Sequence, residues 1–256
     1  MERVIDVAAG MLAMNAFRYF LVAGVAFVLF YIILKGRIDA SKIQPTFPGK
    51  GDYRREITYS VITIFIFVLV GMTIYATPMF DIILRYDTIA EHGWGYWVLS
   101  VLMMIFMHDT YFYWTHRAMH HPKLFRYFHK VHHDSINPSP WASYAFHPLE
   151  GVVEAAIIFP IVLLIPHHTS AVLVFLFFMM TYNVYGHLGW ELYPKGFHKT
   201  WIGKWVNTSV NHNQHHKHFH GNYGLYFLFW DRWLGTIRPD YDQAFDKATR
   251  AASYSA

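Results

Sequence analysis

The sequence predicts an all-α, multi-pass membrane helical bundle of four or five membrane helices, continued by a helical cytoplasmic cap that carries clusters of histidine. Three observations predict it. Hydrophobic residues make up 54% of the 256 residues and charged residues 15%, against roughly 45–50% and about 25% in an ordinary soluble domain, and the excess sits in blocks. The basic residues collect on one side of those blocks. The chain also holds 18 histidines, which burial in lipid does not require and metal chemistry does, imidazole being the commonest metal ligand. Cys is 0, which excludes a disulfide scaffold, thiolate metal sites and a Cys nucleophile.

Phe17–Leu34 is an apolar run interrupted only by Arg18 and Gly24, long enough to cross a bilayer core of about 30 Å. Ile57–Thr77 is the second run, ended by Pro78, and the third extends from about Trp94 to Trp114 with His108 and Asp109 near its far end. Val152–Ile165 and Ala171–Tyr185 form a pair joined by Pro166, His167, His168 and Thr169. At roughly 22 Å of helix each, they read as a re-entrant or tilted hairpin. Of the 21 Lys and Arg residues, all but Arg3, Arg18 and Arg85 fall in residues 35–56, 115–150 and 187–256, so these segments are expected in the cytoplasm. The net charge of +4 follows from that bias. No basic stripe with stacking aromatics suggests nucleic acid.

The histidines form three clusters, all on the side assigned to the cytoplasm. His116 and His120 are an i, i+4 pair on one helical face. His129, His132 and His133, and again His212, His215 and His216, repeat one H-x-x-H-H spacing. Such a turn can aim imidazoles at two neighbouring metal ions at once. A single zinc takes three or four ligands, so these clusters supply enough for a pair of borderline transition metals. Asp109 lies some 20° from both His116 and His120 on a continuous helix, about 10 Å deeper in the membrane. His108 is turned away and reads as a hydrogen-bonding neighbour. His92, His121, His167, His168, His198, His218 and His220 read as ordinary surface or core residues.

The order H-x3-H, H-x2-H-H, a hydrophobic hairpin and a second H-x2-H-H resembles the fatty acid hydroxylase superfamily, in its sterol desaturase and sphingolipid hydroxylase branch. The strings His108-Asp-Thr-Tyr-Phe-Tyr-Trp-Thr-His116-Arg117, Ala145-Phe-His-Pro-Leu-Glu150 and Trp230-Asp-Arg-Trp-Leu-Gly-Thr236 carry the same likeness. The resemblance implies an integral membrane non-haem di-iron oxygenase, an oxidoreductase that hydroxylates or desaturates a sterol, sphingoid or fatty acyl C–H bond. Its cofactors would be two Fe ions, with zinc able to replace them in purified protein, and O2 its co-substrate. One oxygenase domain is expected, with N-terminal membrane helices over residues 1–94, the catalytic region over 95–240 and a mobile tail over 241–256. The setting would be a bacterial inner membrane, or the endoplasmic reticulum of a eukaryote, with the active site on the cytoplasmic side.

The resemblance adds His187 as a ninth metal ligand. Glu191, four residues on, is open between binding metal, holding a ligand imidazole and lying on the surface. His147 is expected beside the ligands or the substrate. Asp109 is expected to orient a ligand from a neighbouring helix, His187 first among them, or to relay a proton. An apolar slot with Tyr111, Phe112 and Trp114 would guide a lipid tail from the bilayer. Without Cys the chain offers no iron–sulfur ligands, so electrons are expected from an external donor of the ferredoxin, cytochrome b5 or reductase type, docking near Lys195, Lys199 and Lys204. The competing reading is a membrane metal transporter or metal-binding protein without redox catalysis. That reading predicts ionisable residues spread through the spans, whereas the first two runs contain almost none.

Overall fold

The first apolar run begins its helix earlier than its hydropathy suggests. In the computed structural model, which describes residues 2–252, α1 spans Glu2–Phe27 and continues as a π-helical turn, Val28–Ile33. Tyr31 in that turn is buried and donates to the Leu188 carbonyl at 3.0 Å, which ties the end of the first span to the cap. The second helix, α2 (Lys50–Tyr75), starts where Asp52 accepts from the Gly49 N–H at 2.9 Å, a carboxylate favoured by the helix N-terminus. It stops ahead of Pro78, which cannot continue a helix.

Gly93–Met119 forms α3 and is followed by two short helices, α4 (Pro122–Phe128) and α5 (Lys130–His133). The expected hairpin is present but unequal. Its first arm breaks at Ile157 into α6 (Pro148–Ala156) and α7 (Ile158–Leu164), and its second arm is the continuous α8 (Thr169–Gly186). The linker between the arms forms β2 (His167–His168), which pairs in parallel with β1 (Arg85–Tyr86). Beyond it, α9 (Ser209–His218), α10 (Phe229–Trp233) and α11 (Tyr241–Ala252) complete the cap.

Among the described residues, three helices are long and apolar enough to cross a membrane: α1 with its π turn, α2 and α8. α3 has the length, but Ser100, His108, Asp109 and His116 are buried along it and reduce its apolarity. The outward faces are greasy, with Phe17 63%, Leu69 67% and Phe177 50% exposed, as expected of surfaces solvated by lipid. Between the helices, Met104, Ile161, Ile165, Ala171 and Phe175 pack as one core, and Tyr19, Ile64, Tyr144, Phe146 and Met180 as another.

The expected mobile tail over 241–256 is corrected as far as residue 252. Tyr241, Phe245 and Ala248, one face of α11, pack on Val210 and Leu228, so burial of apolar surface holds the segment in place. The remainder of that tail lies outside the described residues.

Candidate metal centre

The H-x-x-H-H spacing does its work through helical rotation. On α9, His212 and His216 lie four residues apart and share a face, while His215 is turned about 100° from His216. The nine predicted histidines assemble into two buried groups. His116, His120, His129, His133 and His215 form one, and His132, His187, His212 and His216 the other, with the ligand atoms of each group within 4.8 Å of one another. α3 delivers His116 and His120, the α4–α5 turn delivers His129, His132 and His133, the end of α8 delivers His187, and α9 supplies the rest.

Backbone carbonyls set the tautomers. His116 Nδ1 donates to Tyr223 O at 2.9 Å, His215 Nδ1 to Gly221 O at 2.8 Å, His187 Nδ1 to Asn183 O at 2.7 Å and His216 Nδ1 to Ser135 O at 3.0 Å. A carbonyl only accepts, so each of these neutral rings carries its proton on Nδ1 and presents a bare lone pair at Nε2. Yet His187 Nε2 and His216 Nε2 are 3.1 Å apart. No proton is available to join them, and two lone pairs repel at that distance. Nε2 atoms also meet between His133 and His215 at 3.0 Å and between His187 and His212 at 3.1 Å. Two nitrogens each about 2.1 Å from one ion stand about 3.0–3.4 Å apart for angles between a right angle and the tetrahedral one. The donor sets therefore fit a bound cation each, and no hydrogen bond between neutral rings accounts for the closeness of His187 and His216.

Burial, and next to it the charge of neighbouring imidazoles, holds His129, His133, His215 and His216 well below the ordinary histidine range. Burial takes His187 to about 4. Neutral imidazole is the form that ligates.

Glu150 is the site residue that sequence reasoning passed over. Its carboxylate is 2.6 Å from His129 Nδ1, with both side chains buried. A ligating histidine commonly donates its other N–H to a carboxylate, which orients the ring and raises its basicity. The available signal was an acid at the head of an apolar run, with a second, Glu154, one turn on.

Asp109 is buried but does not orient His187, whose partner is the Asn183 carbonyl. Its Oδ1 accepts from Tyr226 N at 2.7 Å and Phe227 N at 3.1 Å. Asp231 accepts from Tyr223 N at 2.9 Å and Gly224 N at 2.7 Å. Together they pin the 221–227 loop, and that loop supplies the Tyr223 and Gly221 carbonyls that orient His116 and His215. The two acids act on the first histidine group through this loop.

Glu191 touches no histidine. It accepts from Tyr185 OH at 2.5 Å, Tyr193 N at 3.0 Å and Val210 N at 3.1 Å, joining the end of α8 to the first turn of α9. His147 stands outside both groups and caps α6, accepting from Leu149 N at 3.2 Å. His108 donates to or accepts from Tyr226 OH at 2.8 Å, a neighbour and not a ligand.

A cavity of about 480 Å³ runs through the bundle beneath the histidines. Phe112, Phe146 and Asn183 line it and touch the groups directly: Phe112 packs on His116 with ring centroids 4.9 Å apart, and Phe146 on His132 at 5.1 Å. The expected slot is corrected in part. Tyr111 donates to the Val153 carbonyl and Trp114 packs on Trp230, so of the three aromatics only Phe112 lines the cavity. On the cap, Lys199 pairs with Asp246 at 2.7 Å and Lys204 lies over Trp205.

The sequence model of the fatty acid hydroxylase family matches residues 101–236. A Delta(7)-sterol 5(6)-desaturase of Gibberella zeae is 29% identical over 189 residues, covering 74% of this chain and 57% of that protein. Lathosterol oxidase of Rattus norvegicus is 31% identical over 198 residues, 74% of this chain and 62% of its own length. A Delta(7)-sterol 5(6)-desaturase of Aspergillus fumigatus is 34% identical over 155 residues, 60% of this chain and 44% of its own. The chain spans about half to three-fifths of the length of such relatives. No solved structure matches it. The matched region encloses all nine clustered histidines together with Asp109, Glu150 and Asp231, and on that match the chain belongs to the fatty acid hydroxylase family.

Proposed function

We propose that this chain is a membrane-bound, O2-dependent di-iron oxygenase that hydroxylates or desaturates a sterol or related membrane lipid, with electrons from an external redox partner. The observation that carries this reading is the convergence of Nε2 lone pairs in two adjoining groups, at the inner end of an apolar cavity. Its substrate class follows the names of the relatives, which are sterol desaturases and a lathosterol oxidase.

The chemistry that two iron ions supply at such a centre is reduction of O2 coupled to oxidation of an unactivated C–H bond. His116, His120, His129, His133 and His215 would hold one ion, and His132, His187, His212 and His216 the other. Glu150 balances part of the added charge through His129. Phe112 and Phe146 separate the ligands from the cavity and present its contents to the centre, while the apolar wall keeps water from it. The bias of Lys and Arg toward residues 35–56, 115–150 and 187–256 supports a centre on the cytoplasmic side, where a soluble donor would reach the cap.

The test is metal analysis and optical spectroscopy of the purified full chain, followed by turnover of a sterol under ¹⁸O2 with a reductant. Two irons per chain, no Soret band and a hydroxylated or newly unsaturated product support the reading. Vesicles that accumulate metal through this protein, with no oxidised lipid, would establish the transporter reading instead.

A further inference from the structure

A ladder of aromatic rings leads from the lipid-facing side of α3 onto the cap. Val98, Leu102 and Phe106 are exposed at i, i+4 spacing along α3, an apolar stripe turned outward. Phe106 stacks on Phe227 with centroids 5.0 Å apart, and Phe227 on Phe229 at 5.7 Å. Phe229 meets Trp233 at 5.2 Å, and Trp233 meets Trp205 at 6.5 Å. Backbone joins the two cap segments, Leu228 N donating to Trp205 O at 2.8 Å. The ladder ends in open surface: Trp233 is 65% and Trp201 78% exposed, and Ile202 and Leu234 beside them are exposed as well.

Helical rise sets the depth of this ladder. Trp94 and Trp114 stand about 30 Å apart along the axis of α3, the thickness of a bilayer core, and tryptophan is favoured at both boundaries. Phe106 is then about 18 Å from the Trp94 end, inside the hydrocarbon, and Phe227 stacked on it is there too. Trp230 sits at the boundary, 5.6 Å from Trp114 and donating its Nε1–H to Thr110 Oγ1 at 3.2 Å. The rings beyond it come at the depth of lipid headgroups. Charge agrees with that depth. No acidic residue lies between Glu191 and Asp231, and the Lys204 ammonium, 5.1 Å from the Trp205 ring centroid, forms no ion pair among the described residues. A long cationic side chain beside an interfacial ring can reach lipid phosphate.

We infer that residues 201–205 and 227–234 form an interfacial foot, seated in the headgroup region of the leaflet nearer the histidines, with Lys204 directed to lipid phosphate. Its partner is the phospholipid surface. Part of the 187–256 segment, expected in the cytoplasm from charge alone, thus lies in the membrane boundary, and Lys204 faces lipid and not a soluble electron donor. Charge bias does not separate the two positions, because basic residues are favoured beside anionic headgroups as well as in cytoplasmic loops.

The test is electron paramagnetic resonance of spin labels on Ile202→Cys and Leu234→Cys, in the purified full chain in phosphatidylcholine nanodiscs. Relaxation by O2, which partitions into lipid, is compared with relaxation by a neutral nickel chelate, which stays in water. Both side chains are exposed, so labelling leaves the packed rings in place, and the chain has no native Cys. Both labels should lie within about 5–10 Å of the phosphate level on its lipid side, while Lys217→Cys, exposed at the end of α9, should read as water. Labels at 202 and 234 as open to the chelate as the label at 217 overturn the inference and leave the surface to a soluble partner. Labels shielded from both relaxants and broadened by a second label mean that another copy of the chain covers the patch, which overturns it equally. Adding phosphatidylglycerol should lower chelate access at 202 further, and Lys204→Glu should remove that added protection. Its persistence in Lys204→Glu overturns the phosphate contact. None of these readings needs iron or turnover, so they stand or fall apart from the di-iron reading.

Discussion

His132 and His133 are neighbours in the chain, yet their imidazoles serve different groups, with ring planes 89° apart and centroids separated by 5.9 Å. His215 and His216 repeat the relationship at 84° and 6.0 Å. The two motifs use it in opposite senses. In the first, His129 and His133 enter one group and His132 the other, whereas in the second His215 enters alone and His212 and His216 go together. Each motif therefore spans both sites, and neither site can form from one motif.

His215→Ala and His132→Ala each remove one ligand from a different group. Each should abolish turnover and lower the bound metal from two toward one per chain, read by metal analysis of the purified variant. Two metals and full activity in either variant would defeat the assignment of that histidine.

Glu150→Gln keeps the shape of the side chain and an acceptor for His129 but removes the charge. Metal affinity should weaken roughly 10–100-fold, as for other partners that orient a ligating imidazole, with unchanged helical content by circular dichroism. Affinity equal to that of the parent chain would leave Glu150 as a buried acid of no consequence to the centre.

Asp109→Ala frees the Tyr226 and Phe227 N–H groups in a buried site, each unsatisfied group costing about 1–3 kcal/mol. The unfolding temperature should fall, and the group containing His116 and His215 should lose metal before the group containing His187, because only the former takes its carbonyls from the pinned loop. Simultaneous loss from both groups, followed by a site-resolved spectroscopic probe, would contradict action through the loop.

The pH dependence has a definite sign. Burial lowers the folded-state value of His187 from 6.5 to about 4 and of His120 to about 2, so below about 6.5 the unfolded chain binds protons that the folded chain refuses. The stability of the metal-free protein is then full above that pH and declines as pH falls through the window toward 4. Thermal unfolding recorded between pH 7.5 and 5 should show the decline, and a flat profile would mean that these imidazoles are not held neutral.

The basic-loop assignment predicts that residues 35 and 87 face opposite sides of the membrane. Lys42, the obvious reporter, is buried and donates to Asn137, so Lys35→Cys and Asp87→Cys are the informative positions, both exposed in a chain with no native Cys. Labelling of both from one side would break the topology.

By itself the sequence determined the helical membrane class and the three clusters of eight histidines, because hydropathy and i, i+3, i+4 spacing are local properties that survive without knowledge of the neighbours; His187 came only from the family resemblance. The sequence carried no sign that Ser209–His216, a stretch with Val210 as its one apolar residue, would be wholly buried. Nothing local pays for that, since the partners that satisfy it come from elsewhere: Gln44 on Asn213, Asn222 on the Asn211 carbonyl, and the Ser135 and Gly221 carbonyls on His216 and His215. Tertiary structure alone decided which imidazole enters which group, that Glu150 and not Asp109 meets a ligand, and that Glu191 and His147 serve helix ends. A carboxylate's role depends on the donors that reach it through space, and those donors lie 19 residues away for Glu191 and 117 for Asp109.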